Sequence, residues 1–228
     1  MKHRNSHFAV GYWSRIRGSR TAPDQADIDP RALKRLLPFV FLLDARSCSN
    51  LTFRLAGTTL CERYGGELRG RNYLGHWDQD SRAKLSELLR QALRERIPAC
   101  LTSIGATEDC RMVEIETVLM PVTFGGAEPE RFLGVAQILT DVAPLAGRHI
   151  SFERLVSAKL VREDEKLIPL DPPVMPPPSP VDRVHPRAPY LRLVASRCDS
   201  ANDPLNFDAK ATFEEMLAIC GIAQTLAS

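Results

Sequence analysis

Apolar side chains occupy every second position of residues 51–56, where Leu51, Phe53 and Leu55 are separated by polar or small residues. A period of two is typical of a half-buried strand. A continuous apolar run at 39–43 indicates a buried strand just before it, and small or turn-forming residues fill 47–50. The pattern predicts two consecutive strands joined by a turn.

A helical period replaces this alternation at residues 81–96, which give the clearest helix prediction of the chain. One face of this segment is apolar and consists of Leu85, Leu88, Leu89, Ala92 and Leu93. Asp80 or Ser81 is the expected N-cap. Three strands are predicted after the helix, at 101–106, 111–121 and 131–139. Short polar loops between them favour an antiparallel meander.

Shorter helices are predicted on both sides of the first hairpin. Tyr12, Trp13 and Ile16 are spaced as on one helix face, so we expect a short amphipathic helix over 12–17 that follows a flexible N-terminus at 1–8. Asp29 as N-cap and Pro30 at the first position predict a second helix, with Leu33 and Leu36 on its apolar side and Pro38 after its end. A third short helix is expected over 58–64.

This order of elements predicts an α+β domain over residues 9–141, with an antiparallel sheet and helices over one of its faces. An amphipathic helix over 151–163, within residues 142–167, is expected to follow. The prolines of 168–189 predict an extended linker. Residues 190–228 are expected to be a tail that ends in a short helix at 213–226.

Composition narrows the classes of function. A net charge of +2 is too small to indicate nucleic-acid or membrane binding. Residues 1–35 contain eight Lys and Arg, which are consistent with a solvated face or with an anionic partner. The start of the chain lacks the apolar core of a signal peptide, and no apolar run is long enough to span a membrane. We therefore expect a cytoplasmic protein with no membrane partner.

The sequence contains none of the common catalytic signatures, since it has no H-E-x-x-H, no G-x-S-x-G and no Walker A loop. The six cysteines form no C-x-x-C pair, so reduced thiols and no metal site are expected. The pattern favours a protein that is not an enzyme. DNA binding through the short basic helices is a disfavoured alternative, because the second helix is too short.

Several local strings resemble a subfamily of mostly stand-alone bacterial PAS-domain proteins, over about residues 12–139. They are Y12-W13, R17-G18 with Arg20, D27-I-D-P30, L36-L-P38, F41-L-L-D44, F53-R-L-A-G57 and L68-R-G70. The resemblance implies a five-stranded antiparallel sheet whose inner face and helices enclose a small cavity. It also implies a sensory or regulatory module of bacterial signalling that binds haem, a flavin, a small metabolite or nothing, and that dimerises through N-terminal helices.

On this resemblance, the cavity wall would consist of Phe41, Phe53, Leu55, Leu89, Leu93, Ile115, Thr117, Val135 and Gln137. A plain hydrophobic core is the alternative for the same residues. A small-molecule ligand and a dimerisation module without any ligand both stay open.

The cofactor cannot be identified from the sequence. The string Gly70-Arg-Asn-Tyr73 resembles the G-R-N-C segment of flavin-binding light sensors, but Tyr73 replaces the cysteine that forms the flavin adduct, which excludes that photochemistry. His76 is a candidate haem ligand. Haem-binding PAS domains usually take their histidine from the long helix, however, and residues 81–96 contain none. Haem is therefore disfavoured.

Surface roles are predicted for two groups of residues. Tyr12, Trp13, Arg17 and Arg20 are candidates for a dimer or protein-partner surface, because aromatic residues and Arg are enriched in interfaces. Packing of the helix on the domain's own sheet is the alternative. Arg54 is expected to pair with Glu114 or Glu116 across the sheet. The expected partners are a second copy of the chain or another protein.

Overall fold

The computed structural model describes residues 1–47 and 50–162, which contain one antiparallel sheet of six strands. The strands are β1 (Val40–Ser47), β2 (Asn50–Ala56), β3 (Ala99–Ala106), β4 (Met112–Val122), β5 (Arg131–Ile138) and β6 (Phe152–Leu160). Their order across the sheet is β2-β1-β5-β4-β3-β6. The predicted α+β class, the first hairpin and the three-stranded meander are confirmed.

The helices are α1 (Arg4–Arg17), α2 (Thr58–Arg63) and α3 (Gln79–Glu95), with a 3₁₀ segment at Tyr73–His76. The inner face of the sheet packs against α2, the 3₁₀ segment and α3, whereas α1 packs on the outer face. The helices between the strands therefore lie on one face as predicted, and the N-terminal helix covers the other face. β4 and β5 are buried almost throughout, as expected of strands covered on both sides.

The N-terminus is helical where a flexible segment was predicted at 1–8. The side chain of His3 caps α1 by accepting a hydrogen bond from the backbone N–H of Asn5, at 3.0 Å, and Ser6 and His7 are buried. The backbone N–H groups of Lys2 and His3 both donate to the carboxylate of Glu116 on β4. This long-range contact with the sheet could not be read from the local sequence.

The helix predicted from Asp29 does not form, and residues 30–36 are a series of turns that leads into a 3₁₀ segment at Leu37–Phe39. The Asp29 side chain still accepts from the N–H of Arg31, at 2.9 Å, and Leu33 and Leu36 are buried on the outer face. A short segment that ends at Pro38 cannot offset the cost of helix nucleation.

The helix predicted over 151–163 is also wrong, because β6 occupies this segment. β6 pairs with β3 from Ala106↔Phe152 to Ala99↔Leu160, so the sheet has one strand more than the predicted five and the domain extends past residue 141. The long helix is confirmed as α3, although Asp78 caps it and accepts from the N–H groups of Asp80 and Ser81, at 3.1 Å each.

The linker predicted at 168–189, the tail at 190–228 and its terminal helix lie outside the described residues. None of the helices within residues 1–47 and 50–162 has both the length and the apolar character that a membrane span requires.

Candidate ligand site

A small cavity lies between the inner face of the sheet and the segment formed by α2 and the 3₁₀ turn. Its walls are Phe41, Phe53, Leu60, Tyr64, Leu68, Tyr73, His76, Trp77, Thr117, Ala136 and Glu153. The space open to the centre of a water molecule is about 10 Å³, which is room for about one water.

Aromatic rings form most of the wall. The ring of Tyr73 lies 5.8 Å from Phe41, 5.7 Å from Phe53 and 5.8 Å from Trp77 between centroids. These separations fall in the range of favourable aromatic pairs. The wall is therefore a packed aromatic cluster whose members stabilise each other's orientation.

Gly134 on β5 allows this cluster to form. It is the register partner of Phe41, and the ring of Phe41 lies against its backbone. A Cβ at Gly134 would come within 2.2 Å of Phe41 Cζ. Any side chain at this position would therefore displace the ring from the wall.

Glu153 on β6 places a carboxyl group at the polar end of the cavity. The side chain is buried, the hydroxyl of Tyr64 donates to it, and the hydroxyl of Ser103 donates to its Oε2, at 2.7 Å. Burial raises the pKa of Glu153 above its usual value, and the two hydrogen bonds only partly oppose that effect. The site therefore favours a neutral Glu153.

Two hydrogen-bond donors of the wall have no partner among the described residues, namely the hydroxyl of Tyr73 and the indole Nε1–H of Trp77. Both side chains are more than nine-tenths buried. Buried polar groups are almost always hydrogen-bonded, because leaving one unpaired costs about 1–3 kcal/mol. Both donors belong to side chains that line the cavity, so the arrangement suits an occupant that accepts hydrogen bonds.

His76 closes the cavity beside Tyr64, with their ring centroids 5.1 Å apart. Burial, together with the nearby guanidinium groups of Arg71 and Arg82, lowers the pKa of His76 to about 4. The imidazole is therefore neutral at physiological pH. Arg82 is held in place by a hydrogen bond from its Nε to the carbonyl of Trp77, at 2.7 Å.

The predicted cavity residues divide into three groups. Phe41, Phe53 and Thr117 line the cavity. Leu89, Ile115 and Leu93 pack in the surrounding inner core without lining it. The remaining three are wrong: Leu55 is 53% exposed, and Val135 lies in the outer core. Gln137 shares the face of Val135 because it is two residues further along β5.

Sequence reasoning missed the residues that give the cavity its polar character. Glu153 was placed on a helix that does not exist. Tyr64 and Trp77 were not proposed as wall residues, although their aromatic character and their position beside the Gly65-Gly66 and Asn72 turns could have suggested it. The side chain of Asn72 accepts from the N–H of Leu74, at 3.1 Å, and starts the 3₁₀ turn that presents Tyr73.

The candidate interface residues do not form an open surface. Tyr12 and Trp13 are buried in the outer core, and the indole N–H of Trp13 donates to the carbonyl of Pro121, at 2.7 Å. The guanidinium of Arg17 lies 5.2 Å from the Trp13 ring. Arg20 is exposed and pairs with Asp27, at 2.8 Å. The two aromatic residues therefore attach α1 to its own sheet.

Arg54 does not pair with Glu114 or Glu116 as predicted. Its Nη2 donates to Asp44 on the neighbouring strand, at 2.6 Å. Arg46 donates to the same carboxylate, at 2.7 Å. Its hydrogen bonds and those of Arg54 lower the pKa of Asp44 well below its usual value.

The cavity does not fit a haem or a flavin. Its free space of about 10 Å³ is far below the volume of either group, because the aromatic side chains fill the interior. His76 is packed against the Tyr64 ring. In residues 1–47 and 50–162, no group of three or more His, Cys, Asp or Glu side chains could hold a metal ion.

One comparison with known protein families gives a match. A sequence model of the PAS domain family matches residues 1–137. No curated protein sequence matches the chain.

Three solved structures are similar in part. A light-oxygen-voltage domain studied with a flavin analogue is 15% identical, with a TM-score of 0.40 over 51% of this chain and 87% of that one. A Rhodobacter sphaeroides LOV protein is 16% identical, with a TM-score of 0.39 over 52% and 72%. An RNA-binding light-oxygen-voltage receptor is 16% identical, with a TM-score of 0.39 over 55% and 38%.

Proposed function

Because this chain belongs to the PAS domain family, we propose that it is a non-catalytic sensory module in which a small molecule in the inner cavity biases an interaction with another protein chain. The proposed setting is cytoplasmic bacterial signalling. The partner is a second copy of this chain or a different protein, and neither a membrane nor a nucleic acid is part of the proposal.

One observation supports this function above the others: the cavity is lined by two buried side chains whose donors are unpaired, Tyr73 and Trp77. A domain that needed only a hydrophobic core would gain stability from apolar residues at these positions. Unpaired donors around a cavity are instead explained by an occupant that accepts their hydrogen bonds.

The position of the cavity suits communication with a partner. Its wall includes residues of the helical layer and of the sheet. Tyr73 and Trp77 precede α3 in the chain, whereas Glu153 lies on β6 at the sheet edge. The backbone N–H of Asp78 donates to the carbonyl of Glu153, at 3.1 Å, and the N–H of Leu155 donates to the Ser81 hydroxyl, at 2.9 Å. An occupant that moves the wall would therefore act on the contact between β6 and α3.

Protein purified from its own host tests the proposal. Native mass spectrometry of the full chain is expected to show a bound small molecule that denaturation removes, and light scattering should give a different association state after its removal. Ala136→Leu fills the cavity from β5 and should abolish the bound mass, while Ala158→Leu on the exposed part of β6 is the matched control. Equal bound mass in both variants would reject the cavity as the site.

A further inference from the structure

Two donors that lack a partner among the described residues belong to side chains that line the cavity. The indole N–H of Trp77 can only donate, and the Tyr73 hydroxyl is free to donate. An occupant that satisfies this set must present at least two acceptor lone pairs within a small volume, as a carboxylate group does.

The charges around the cavity also favour an anion. Arg71 and Arg82 both act on His76 strongly enough to contribute to its lowered pKa, so the wall on that side lies in a positive potential. The backbone of Arg71 lies beside the aromatic wall, because its carbonyl accepts from the N–H of Phe53, at 3.0 Å, and its side chain is exposed. Arg82 is held by the carbonyls of Trp77 and Gly75, at 2.7 and 3.4 Å.

Glu153 is the one acidic side chain that lines the cavity among the described residues, and it would repel an anion if it were ionised. The groups that face it are the hydroxyls of Tyr64, directly after α2, and Ser103 on β3, together with Tyr73. Burial raises its pKa, so the neutral acid is favoured inside the domain. A bound anion would strengthen this preference.

We propose that the cavity binds the carboxylate group of a small organic acid, which accepts hydrogen bonds from Trp77 and Tyr73 beside the positive charges of Arg71 and Arg82. This inference rests on the proposed function, because it names the ligand class of the same cavity. Since the free space is about that of one water, the acid enters with a side-chain adjustment, and a short acid is the appropriate probe.

The two tryptophans of the chain provide the readout. In a ¹⁵N-labelled full chain they give two indole N–H resonances, which Trp13→Phe assigns. The Trp77 resonance should shift saturably with acetate at constant ionic strength, while Trp13, bonded to Pro121 on the outer face, serves as the internal reference. Acetamide should bind about tenfold more weakly, which corresponds to the loss of one charge-assisted contact, and ethylammonium should not bind.

Variants test the individual groups. Arg71→Gln should weaken acetate binding by roughly fivefold, and Arg69→Gln, an exposed neighbour, is the control that should not change it. Glu153→Gln keeps a neutral polar group at the same place and should bind acetate at least as tightly as the original chain. An unshifted Trp13 resonance in each variant shows that the fold is intact.

Equal affinity for acetamide and acetate, preferred binding of ethylammonium, or loss of acetate binding in Glu153→Gln would each overturn the assignment to a carboxylate. If a neutral compound shifts Trp77 while acetate does not, the inference fails and the cavity remains a ligand site. If none of the probes shifts Trp77 and protein from its host contains no bound mass, the inference and the proposed function both fail.

Discussion

At the scale of single residues, Glu153 makes the stability of the domain depend on pH. Burial raises its pKa in the folded state, while an unfolded chain leaves it near 4.5. As pH rises, the Glu153 carboxyl loses its proton in the unfolded state before it does so in the folded state. Its contribution to the free energy of unfolding is therefore complete below pH 4.5, and it decreases as pH rises from 4.5 to the pKa of the folded state. In that window the loss is about 1.4 kcal/mol per pH unit.

The comparison of the original chain with Glu153→Gln isolates this effect. Urea unfolding at several pH values between 4.5 and 8 should show the free energy of unfolding of the original chain falling relative to the variant. Both chains contain His76, whose lowered pKa destabilises the fold as pH falls below 6.5. This effect is common to the two chains, so it cancels in their difference. Glu108→Gln, at an exposed position, is the matched control. A difference that stays constant or grows with pH would contradict the prediction.

Gly134 controls the shape of the cavity through Phe41. Gly134→Ala would place a Cβ 2.2 Å from the Phe41 ring, so the ring must leave its place in the cavity wall. We expect a loss of roughly 1–3 kcal/mol in the free energy of unfolding, as for overpacked cores, together with loss of the Trp77 response to ligand. Gly126→Ala, where a Cβ meets nothing within 4 Å, is the matched control. A folded Gly134→Ala protein with unchanged ligand response would show that Phe41 does not shape the site.

The limits of sequence reasoning at this scale are clearest on β5. All eight residues of β5 are buried, so no alternation of polar and apolar residues indicates which face is inward. The inward residues here include Gly134 and Ala136, whose small size leaves room for Phe41 and the cavity, while the larger Val135 faces α1. On β4, where Glu114 and Glu116 mark the outer face, the inward assignment of Ile115 and Thr117 is correct.

At the scale of elements, Glu116 attaches α1 to the sheet. Its carboxylate is buried and accepts from the backbone N–H groups of Lys2 and His3. Burial opposes its charge, but these hydrogen bonds and the charge of the N-terminus outweigh that effect and lower its pKa. The negative charge also lies at the N-terminal end of α1, where the helix dipole favours it.

Glu116→Gln should therefore weaken the attachment of α1. We expect about 1–3 kcal/mol of lost stability, because hydrogen bonds to a buried charge are replaced by weaker ones, and faster amide exchange across α1 than in α3. Glu114→Gln is the control on the same face, since its pair with Lys2 is more exposed and is screened by solvent. Equal protection of α1 in the two variants would show that apolar packing alone holds the helix.

The elements that the sequence predicted correctly have local signals, whereas the missed ones depend on distant contacts. α3 has a full apolar face and a capping residue within one turn of the predicted start. The segment of β6 has apolar residues at both helical and strand spacing, so its local sequence does not choose between a helix and a strand. It forms a strand because it pairs with β3 over its whole length. Such tertiary pairing commonly overrides local propensity.

At the scale of the whole molecule, the sheet is a shared layer between two buried clusters. The inner cluster surrounds the cavity and the outer one holds α1. Adjacent residues of β4 point to opposite faces, since Glu116 accepts hydrogen bonds from the start of the chain at α1 while Thr117 lines the cavity. A shift of β4 or β5 caused by an occupant would therefore change the contacts on both faces of the sheet.

β6 lies past residue 137, where the match to the PAS domain family ends, yet it belongs to the same folded unit. Ile150 is buried in the inner core, and Leu155 and Leu160 pack against the same core.

A chain that ends at residue 148 would lose these contacts and expose the edge of β3, whereas a chain that ends at residue 162 would keep them. Removal of several buried side chains typically costs at least 3 kcal/mol, so the shorter chain should melt about 10 °C lower. Thermal unfolding followed by circular dichroism distinguishes the two, with the full chain as reference. If both truncated chains melt at the same temperature, the domain is complete without β6 and this prediction is wrong.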